Sequence, residues 1–234
     1  MSADRDERAA PISQTTADRG TVTLHAYATA LPLGLAAFAV GMSLLAGQGL
    51  GWFPPTQSVS LAVLIAAFVT PLQFLATAFA LLSRDSGAAM LMGLFSTSWL
   101  ALGMLMLATR PPHRGLAAGV FLLGFALVVL VPAIVLLSSK LLLGLLAVLS
   151  AARAVLQAVW ELGGPQPWHR ADGALALVIA ALGIYLAAAF LLEDVRGGTP
   201  LPIGRRGEAR RAVQAGHLES RRSLAAEPGV RPQL

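Results

Sequence analysis

The amino-acid sequence predicts an all-α membrane protein in which six transmembrane helices form a compact bundle. The first observation is composition: 56% of the 234 residues are apolar and 12% are charged, whereas a soluble domain carries about 25% charged residues. The second is charge distribution, because only ten charged side chains lie between Ala30 and Glu193. The third is that this region divides into apolar stretches near the roughly 20 residues that a helix needs to cross a bilayer.

Each stretch ends where turn-forming or charged residues interrupt it, and the short connections are typical of antiparallel neighbours. In chain order, the predicted spans are Pro32 to Leu50, Ser58 to Leu82, Gly87 to Thr109, Leu116 to Leu137, Leu141 to Leu162 and Gly173 to Leu192. The interruptions that separate them are Gly51 to Pro55, Ser83 to Ser86, Arg110 to Arg114, Lys140, and Gly163 to Trp168.

Residues 1–29 and 205–234 flank a transmembrane domain over residues 30–204. Both ends are rich in Arg, Glu, Gly, Pro and Ala without a periodic apolar face, so we expect two disordered tails. The first 29 residues have several acidic side chains and no early apolar run, which is not the pattern of a cleaved signal peptide. The first span is therefore expected to direct insertion.

Orientation follows from the basic residues that flank the spans. An even number of spans places both ends on one side, and that side collects thirteen of the 17 Lys and Arg residues against three on the other. The positive-inside rule then predicts a multi-pass protein of the cell membrane with both termini in the cytoplasm. Eight of the basic residues lie in the last 39, so a basic tail, and not a nucleic-acid-binding face, explains the pI near 10.9.

Polar residues form stripes on three of the predicted spans. The second span has Thr70 and Gln73 on one face beside Pro71, which is expected to loosen the helix there. The third has Ser98 near its centre, and the fifth has Ser150 and Arg153 on one stripe that continues through Gln157 to Glu161. Two interpretations stay open for these residues: polar packing between helices, with Arg153 paired inside the bundle or reaching an interface, or the lining of a solute pathway.

Known catalytic and metal-binding patterns are missing from the sequence. Cysteine is absent, the four histidines lie outside the predicted spans, and no glycine-rich phosphate loop occurs. We therefore predict that the protein is not an enzyme and has no catalytic residues, no metal site and no cofactor.

Two motifs resemble the acetate uptake transporter family. Leu31-Pro32-Leu33-Gly34-Leu35 followed by Phe38 is similar to that family's opening N-P-A-P-L-G-L-x-x-F. Ile184-Tyr185-Leu186-Ala187 and Leu201-Pro202-Ile203-Gly204 match its I-Y-L-A and L-P-I-G at the same separation. The resemblance covers about residues 30–204.

The resemblance implies a function and an assembly. Family members have six helices around one pore per protomer, often in a hexamer. They move acetate and related carboxylates such as succinate, in many cases together with protons. Their pore narrows at a central hydrophobic constriction, to which Phe38 and Leu149 correspond. The expected partners are thus the lipid bilayer, a small carboxylate and further copies of the chain.

The sequence also departs from the family at two positions of interest. Ser98 stands where we place the constriction tyrosine, and Arg153 falls where an aromatic residue is common. We therefore expect a wider and more cationic pore that admits a different or larger anion, with a pathway that includes Phe38, Leu149, Ser98, Thr70, Gln73, Ser150 and Arg153. The alternatives are a diverged membrane interaction protein without transport and a permease for another small solute.

Overall fold

The computed structural model describes residues 29–109, 114–196 and 200–206. Both predicted tails, apart from Thr29, Arg205 and Arg206, lie outside these ranges. Six helices in the described ranges are long and apolar enough to cross a membrane, as predicted, and we number them in chain order. They are α1 Leu31–Leu50, α2 Pro55–Leu82, α3 Ser86–Ala108, α4 Leu116–Ser139, α5 Leu141–Glu161 and α6 Gln166–Arg196. We call the end of the bundle with Leu31 and Arg196 the inner end.

The last helix begins earlier than the sequence predicted. The sequence predicts a loop from Gly163 to Trp168 and a span that begins at Gly173, but α6 begins at Gln166 and also includes Arg170 and Asp172. Pro167 occupies the first turn, where proline costs no hydrogen bond. His169 also lies in this helix, so the expectation that every histidine is outside the spans is wrong.

Helices α1 and α6 are in close contact along much of their length. A Cβ atom added to Gly49 would lie 2.7 Å from Gly173 Cα, and one added to Gly183 would lie 3.2 Å from Ala39 Cβ. Small residues allow this backbone approach, which is a common way for membrane helices to associate. The pairing fixes the position of the first turns of α6 beside the end of α1.

Proline changes the hydrogen bonding of α2 near its middle. Residues Ile65–Val69 form one turn of π-helix before Pro71. Pro71 has no N–H to bond the turn behind it, and its ring crowds a preceding carbonyl, so a wider turn relieves both problems. The predicted loosening at Pro71 is confirmed, and the helix continues through it.

At the inner end, a segment after α6 covers the start of α5. We call residues 200–206 the C-terminal strap. The backbone N–H groups of Leu141 and Leu142 donate to the carbonyl oxygens of Gly204 and Ile203 at 3.1 and 3.3 Å, which satisfies donors that a helix start leaves free. The Tyr185 hydroxyl donates to the Pro202 carbonyl at 2.9 Å. This contact links the two sequence motifs near the C-terminus.

Ion pairs complete the inner end. Asp85 accepts the Ala88 N–H at the start of α3 at 3.0 Å and also pairs with Lys140. Glu193, near the end of α6, pairs with Arg205 of the strap. The first pair connects the α2–α3 turn to the α4–α5 turn, and the second connects the strap to α6.

The outer surface of the bundle is apolar. Phe74 of α2 is 65% exposed, and Leu127 and Ile134 of α4 are 70% and 69% exposed. Apolar side chains of this size on a helix surface are suited to contact with lipid tails or with another membrane helix. The structure therefore describes a multi-pass membrane protein.

Candidate functional site

A cavity of about 260 Å³ opens between α1, α3, α4 and α5. Leu105, Ala117 and Glu161 lie at the outer ends of their helices, whereas Phe95, Phe125 and Ser150 lie near the middle. The cavity thus extends from the outer end of the bundle about halfway through it. Most of its lining is apolar, and the polar side chains that line it are Ser98, Ser150, Arg153 and Glu161.

Aromatic rings close the cavity at its inner limit. The rings of Phe38 and Phe95 have centroids 4.6 Å apart, and Phe95 and Phe125 follow at 5.9 Å. Trp99 meets Phe38 edge to face at 5.9 Å. Phe38 is fully buried behind these rings. A charged solute in the cavity therefore meets a hydrophobic barrier before it can reach the inner half of the bundle.

Two hydroxyl groups lie in the cavity wall. Ser98 donates to the Phe95 carbonyl at 2.8 Å, and Ser150 donates to the Leu146 carbonyl at 2.7 Å. Each proton is thus used within its own helix, as is usual for serine in membrane helices. The oxygen atoms can still accept a hydrogen bond, and the protons can turn toward a ligand.

Arg153 supplies a guanidinium group to the cavity wall about 12 Å from the end of α5, taking about 1.5 Å of rise per residue. Its Nε and Nη2 atoms lie 3.1 Å from Oδ1 and Oδ2 of Asp172 on α6. An arginine at this depth costs at least about 2.5 to 3.5 kcal/mol on insertion scales. Asp172 compensates its charge, so Arg153 is paired inside the bundle, with a partner on α6 and not on its own helix.

Glu161 and its neighbours form the outer rim of the cavity. Gln157 donates to Glu161 Oε1 at 2.9 Å, and the Gly115 N–H donates to Oε2 at 3.2 Å. His169 Nδ1 lies 3.3 Å from Gln157 Oε1. These bonds hold the Glu161 carboxylate against the α3–α4 connection.

Trp160 lies between two cationic or titratable groups at the same rim. The Arg114 guanidinium is 3.2 Å from the centroid of the Trp160 ring, and the His169 ring stacks on Trp160 at 4.8 Å. The face of an indole attracts a cation. This stack joins the α3–α4 connection to both α5 and α6.

The structure brings together three of the seven predicted pathway residues, since Ser98, Ser150 and Arg153 line one cavity. Phe38 lies behind Phe95 at its floor. Leu149 is half-buried against the core and is not among the lining residues.

Thr70 and Gln73 belong to a different contact. Gln73 is fully buried and donates to the Gly34 carbonyl at 3.2 Å, and the Thr70 carbonyl accepts the Ser96 hydroxyl at 3.0 Å. These bonds join α1, α2 and α3 and do not face the cavity. They fit the packing interpretation of the second-span stripe.

Phe95 and Asp172 are the two residues that the sequence analysis missed. The wider pore was predicted from Ser98 alone, and the structure adds the ring of Phe95, which contacts Phe38 from one turn earlier on the same helix. Asp172 lies just before the predicted start of the last span at Gly173, yet it is buried on α6 together with Gly173 and Ala176, one turn later. This helical position, together with the need of a buried Arg153 for a carboxylate partner, is the signal in the sequence that could have identified Asp172.

Comparison with known proteins adds a structural relative. No protein-family model and no curated protein sequence matches this chain. Among solved structures, the bacterial acetate channel SatP matches with a TM-score of 0.70 and 22% sequence identity, over 76% of this chain and 100% of the channel chain. A match of this extent at low identity establishes the fold that the motif resemblance implied. The chain therefore has the six-helix membrane fold of the acetate channel SatP.

Proposed function

We propose that this protein is a membrane transporter or channel for small carboxylate anions such as acetate or succinate. The observation that carries the proposal is the match to an acetate channel over that channel's whole length. The cavity adds independent support, because it offers a guanidinium group and two hydroxyl groups in a mostly apolar wall, with Glu161 at its outer rim. These groups suit a ligand with one anionic end and a short apolar body.

The proposed path begins at the outer end of the bundle. A carboxylate enters past Glu161, exchanges part of its hydration for Arg153 and the serine hydroxyls, and then reaches the rings of Phe38 and Phe95. Passage requires these rings to move apart, because a packed aromatic barrier excludes a hydrated ion. We propose that Leu149 contributes to the barrier when the rings move, while Thr70 and Gln73 hold the surrounding helices.

The setting of the protein is part of the same proposal. We propose a cell-membrane location with both termini in the cytoplasm, supported by the basic residues of the two ends. The exposed apolar faces of α2 and α4 would contact lipid and further copies of the chain in a homo-oligomer, a hexamer by the family resemblance.

The test is uptake of radiolabelled acetate and succinate into proteoliposomes that contain the purified protein, with protein-free liposomes as the background. Saturable uptake above this background supports the proposal, and Phe38→Ala should alter its rate. No uptake of either acid contradicts it. A wider panel of anions and neutral solutes then tests for a permease of another small solute.

One observation favours a second candidate function, a membrane interaction protein without transport. The cavity ends at packed aromatic rings halfway through the bundle, and its guanidinium is already paired. A protein that carries no solute in the full panel, with an unchanged rate in Phe38→Ala and Phe95→Ala, fits this second candidate.

A further inference from the structure

Of the paired residues Arg153 and Asp172, only the arginine lines the cavity. Arg153 lines the cavity, whereas Asp172 is 1% exposed and lies behind it on α6. One N–H of Nη2 donates to Asp172 Oδ2 at 3.1 Å, and Nε lies 3.1 Å from Oδ1 without a hydrogen bond. A guanidinium has five N–H groups, so Arg153 has donors left for a second anion. A substrate carboxylate and Asp172 are thus chemically equivalent partners for one arginine.

Few charged or titratable groups other than Arg153 lie near Asp172. On its own helix, His169 lies one turn earlier and Arg170 is exposed. On α5, Arg153 is its bonded cation, and Glu161 lies at the rim bonded to Gln157.

The remaining charged groups lie farther along the bundle. Helix α1 packs against this part of α6 through Gly49 and has no titratable side chain. Arg114 stacks on Trp160 at the rim, and Arg205 pairs with Glu193 about six helical turns away. Within the described residues, Asp172 therefore depends on Arg153 for its charge balance.

We propose that Asp172 is the proton-binding group of a coupled site, in which it holds Arg153 when no substrate is bound and releases it to a substrate carboxylate on taking up one proton. This inference rests on the proposed function, since it requires a carboxylate to enter the cavity.

Charge balance is the reason for the coupling. The empty site holds one positive and one negative charge and is neutral. A substrate anion that binds Arg153 adds a negative charge in a water-poor interior, where an uncompensated charge is costly. Protonation of Asp172 restores neutrality, so each carboxylate binds with about one proton and the site stays neutral. Transport through such a site is insensitive to membrane potential.

The test measures proton uptake directly. Acetate is titrated into the purified full-length protein in detergent near neutral pH, by calorimetry in two buffers of different ionisation enthalpy. The difference between the buffers gives the number of protons taken up per bound acetate. We expect about one for the native protein and none for Asp172→Asn, in which an amide cannot take up the proton. Asp194→Asn, an exposed aspartate at the inner end of the same helix, serves as the matched control and should keep the native value.

The outcomes separate this inference from the proposed function. Acetate uptake in proteoliposomes together with binding that takes up no proton overturns the inference and leaves transport in place. Equal proton uptake by the native protein and Asp172→Asn also overturns it, because the proton then binds elsewhere. Absence of both acetate binding and acetate uptake refutes the proposed function, and the inference with it.

A second variant covers the case in which Asp172→Asn fails to fold with an unpaired arginine. Arg153→Gln/Asp172→Asn removes both charges and should neither bind acetate with native affinity nor take up a proton. Flux through a folded Asp172→Asn protein should become sensitive to a potential set by potassium and valinomycin. The native protein should show no such sensitivity, and a potential-driven native flux contradicts the inference.

Discussion

The ring of Phe38 in α1 lies against the ring of Phe95 in α3, with centroids 4.6 Å apart and planes inclined by 40°. This contact separates the cavity from the inner half of the bundle. Ring pairs of this kind gain about 0.5 to 1.5 kcal/mol beyond their buried area, which is small enough for a helix movement to open them. The contact is therefore suited to a gate as well as to packing.

The first prediction concerns this gate. Phe95→Ala should raise the initial rate of acetate uptake several-fold and reduce discrimination between acetate and succinate, because the barrier loses one of its rings. Proteoliposome uptake of both acids measures the effect. Loss of a buried ring costs about 3–5 kcal/mol in a core, so Phe95→Leu is measured beside it as the milder change.

Phe74→Ala is the matched control for the gate. This ring is 65% exposed on α2, so its loss should leave uptake unchanged. Slower uptake in a folded Phe95→Ala protein would show that the ring positions the substrate and does not block it.

The six spans could be predicted from the sequence, because each is recognised by the length and apolar character of one continuous segment. The start of α6 could not be predicted, because Arg170 and Asp172 are charged and indicate the end of an apolar span. Only the structure shows that Asp172 is paired with Arg153 inside the bundle. Arg153 and Asp172 are brought together by the packing of α5 on α6. The spacing of residues along a single helix does not indicate which residues of another helix they contact. Phe95 was overlooked because Ser98 lies on the same face, and only the position of α1 shows which of the two meets Phe38.

The second prediction uses Ser98 to alter the size of the cavity. Ser98 lines the cavity one turn from Phe95, so Ser98→Tyr places a ring in a space of about 260 Å³. Succinate uptake should fall more than acetate uptake, because the longer acid needs the volume that the ring takes. Thr97→Tyr, at an exposed neighbour, should leave the acetate-to-succinate ratio unchanged. An equal ratio in both variants argues against a role of this cavity in selection by size.

The third prediction concerns the contact of α1 with α6. A Cβ atom at Gly173 would lie 2.9 Å from backbone atoms of Gly49 and Leu50, so Gly173→Ala forces the helices apart. We expect a lower midpoint of thermal unfolding in detergent, followed by intrinsic tryptophan fluorescence. Gly124→Ala is the control, since its added Cβ would meet no atom within 4 Å beyond the neighbouring backbone of its own helix and alanine favours a helix by about 1 kcal/mol. An unfolding midpoint for Gly173→Ala equal to that of Gly124→Ala contradicts the close packing.

The fourth prediction concerns the C-terminal strap. Ile203 is 2% exposed, and its carbonyl oxygen accepts the N–H of Leu142. Ile203→Ala removes the side chain that anchors the strap, at a cost of about 2–5 kcal/mol if the site does not collapse. Hydrogen exchange of the Leu141 and Leu142 amides should then become faster, because their acceptors leave and water replaces them.

Arg206→Ala is the control for the strap, because its side chain is exposed while its N–H donates to the Ser139 carbonyl through the backbone. In the Arg206→Ala variant, the Leu141 amide should exchange at the same rate as in the native protein. Protection of Leu141 that survives Ile203→Ala would mean that the Tyr185 contact and the Glu193 pair hold the strap without the isoleucine. Ile203→Ala/Tyr185→Phe, which also removes the hydroxyl donor to Pro202, then separates the two anchors, since faster exchange in this variant alone assigns the anchoring to Tyr185.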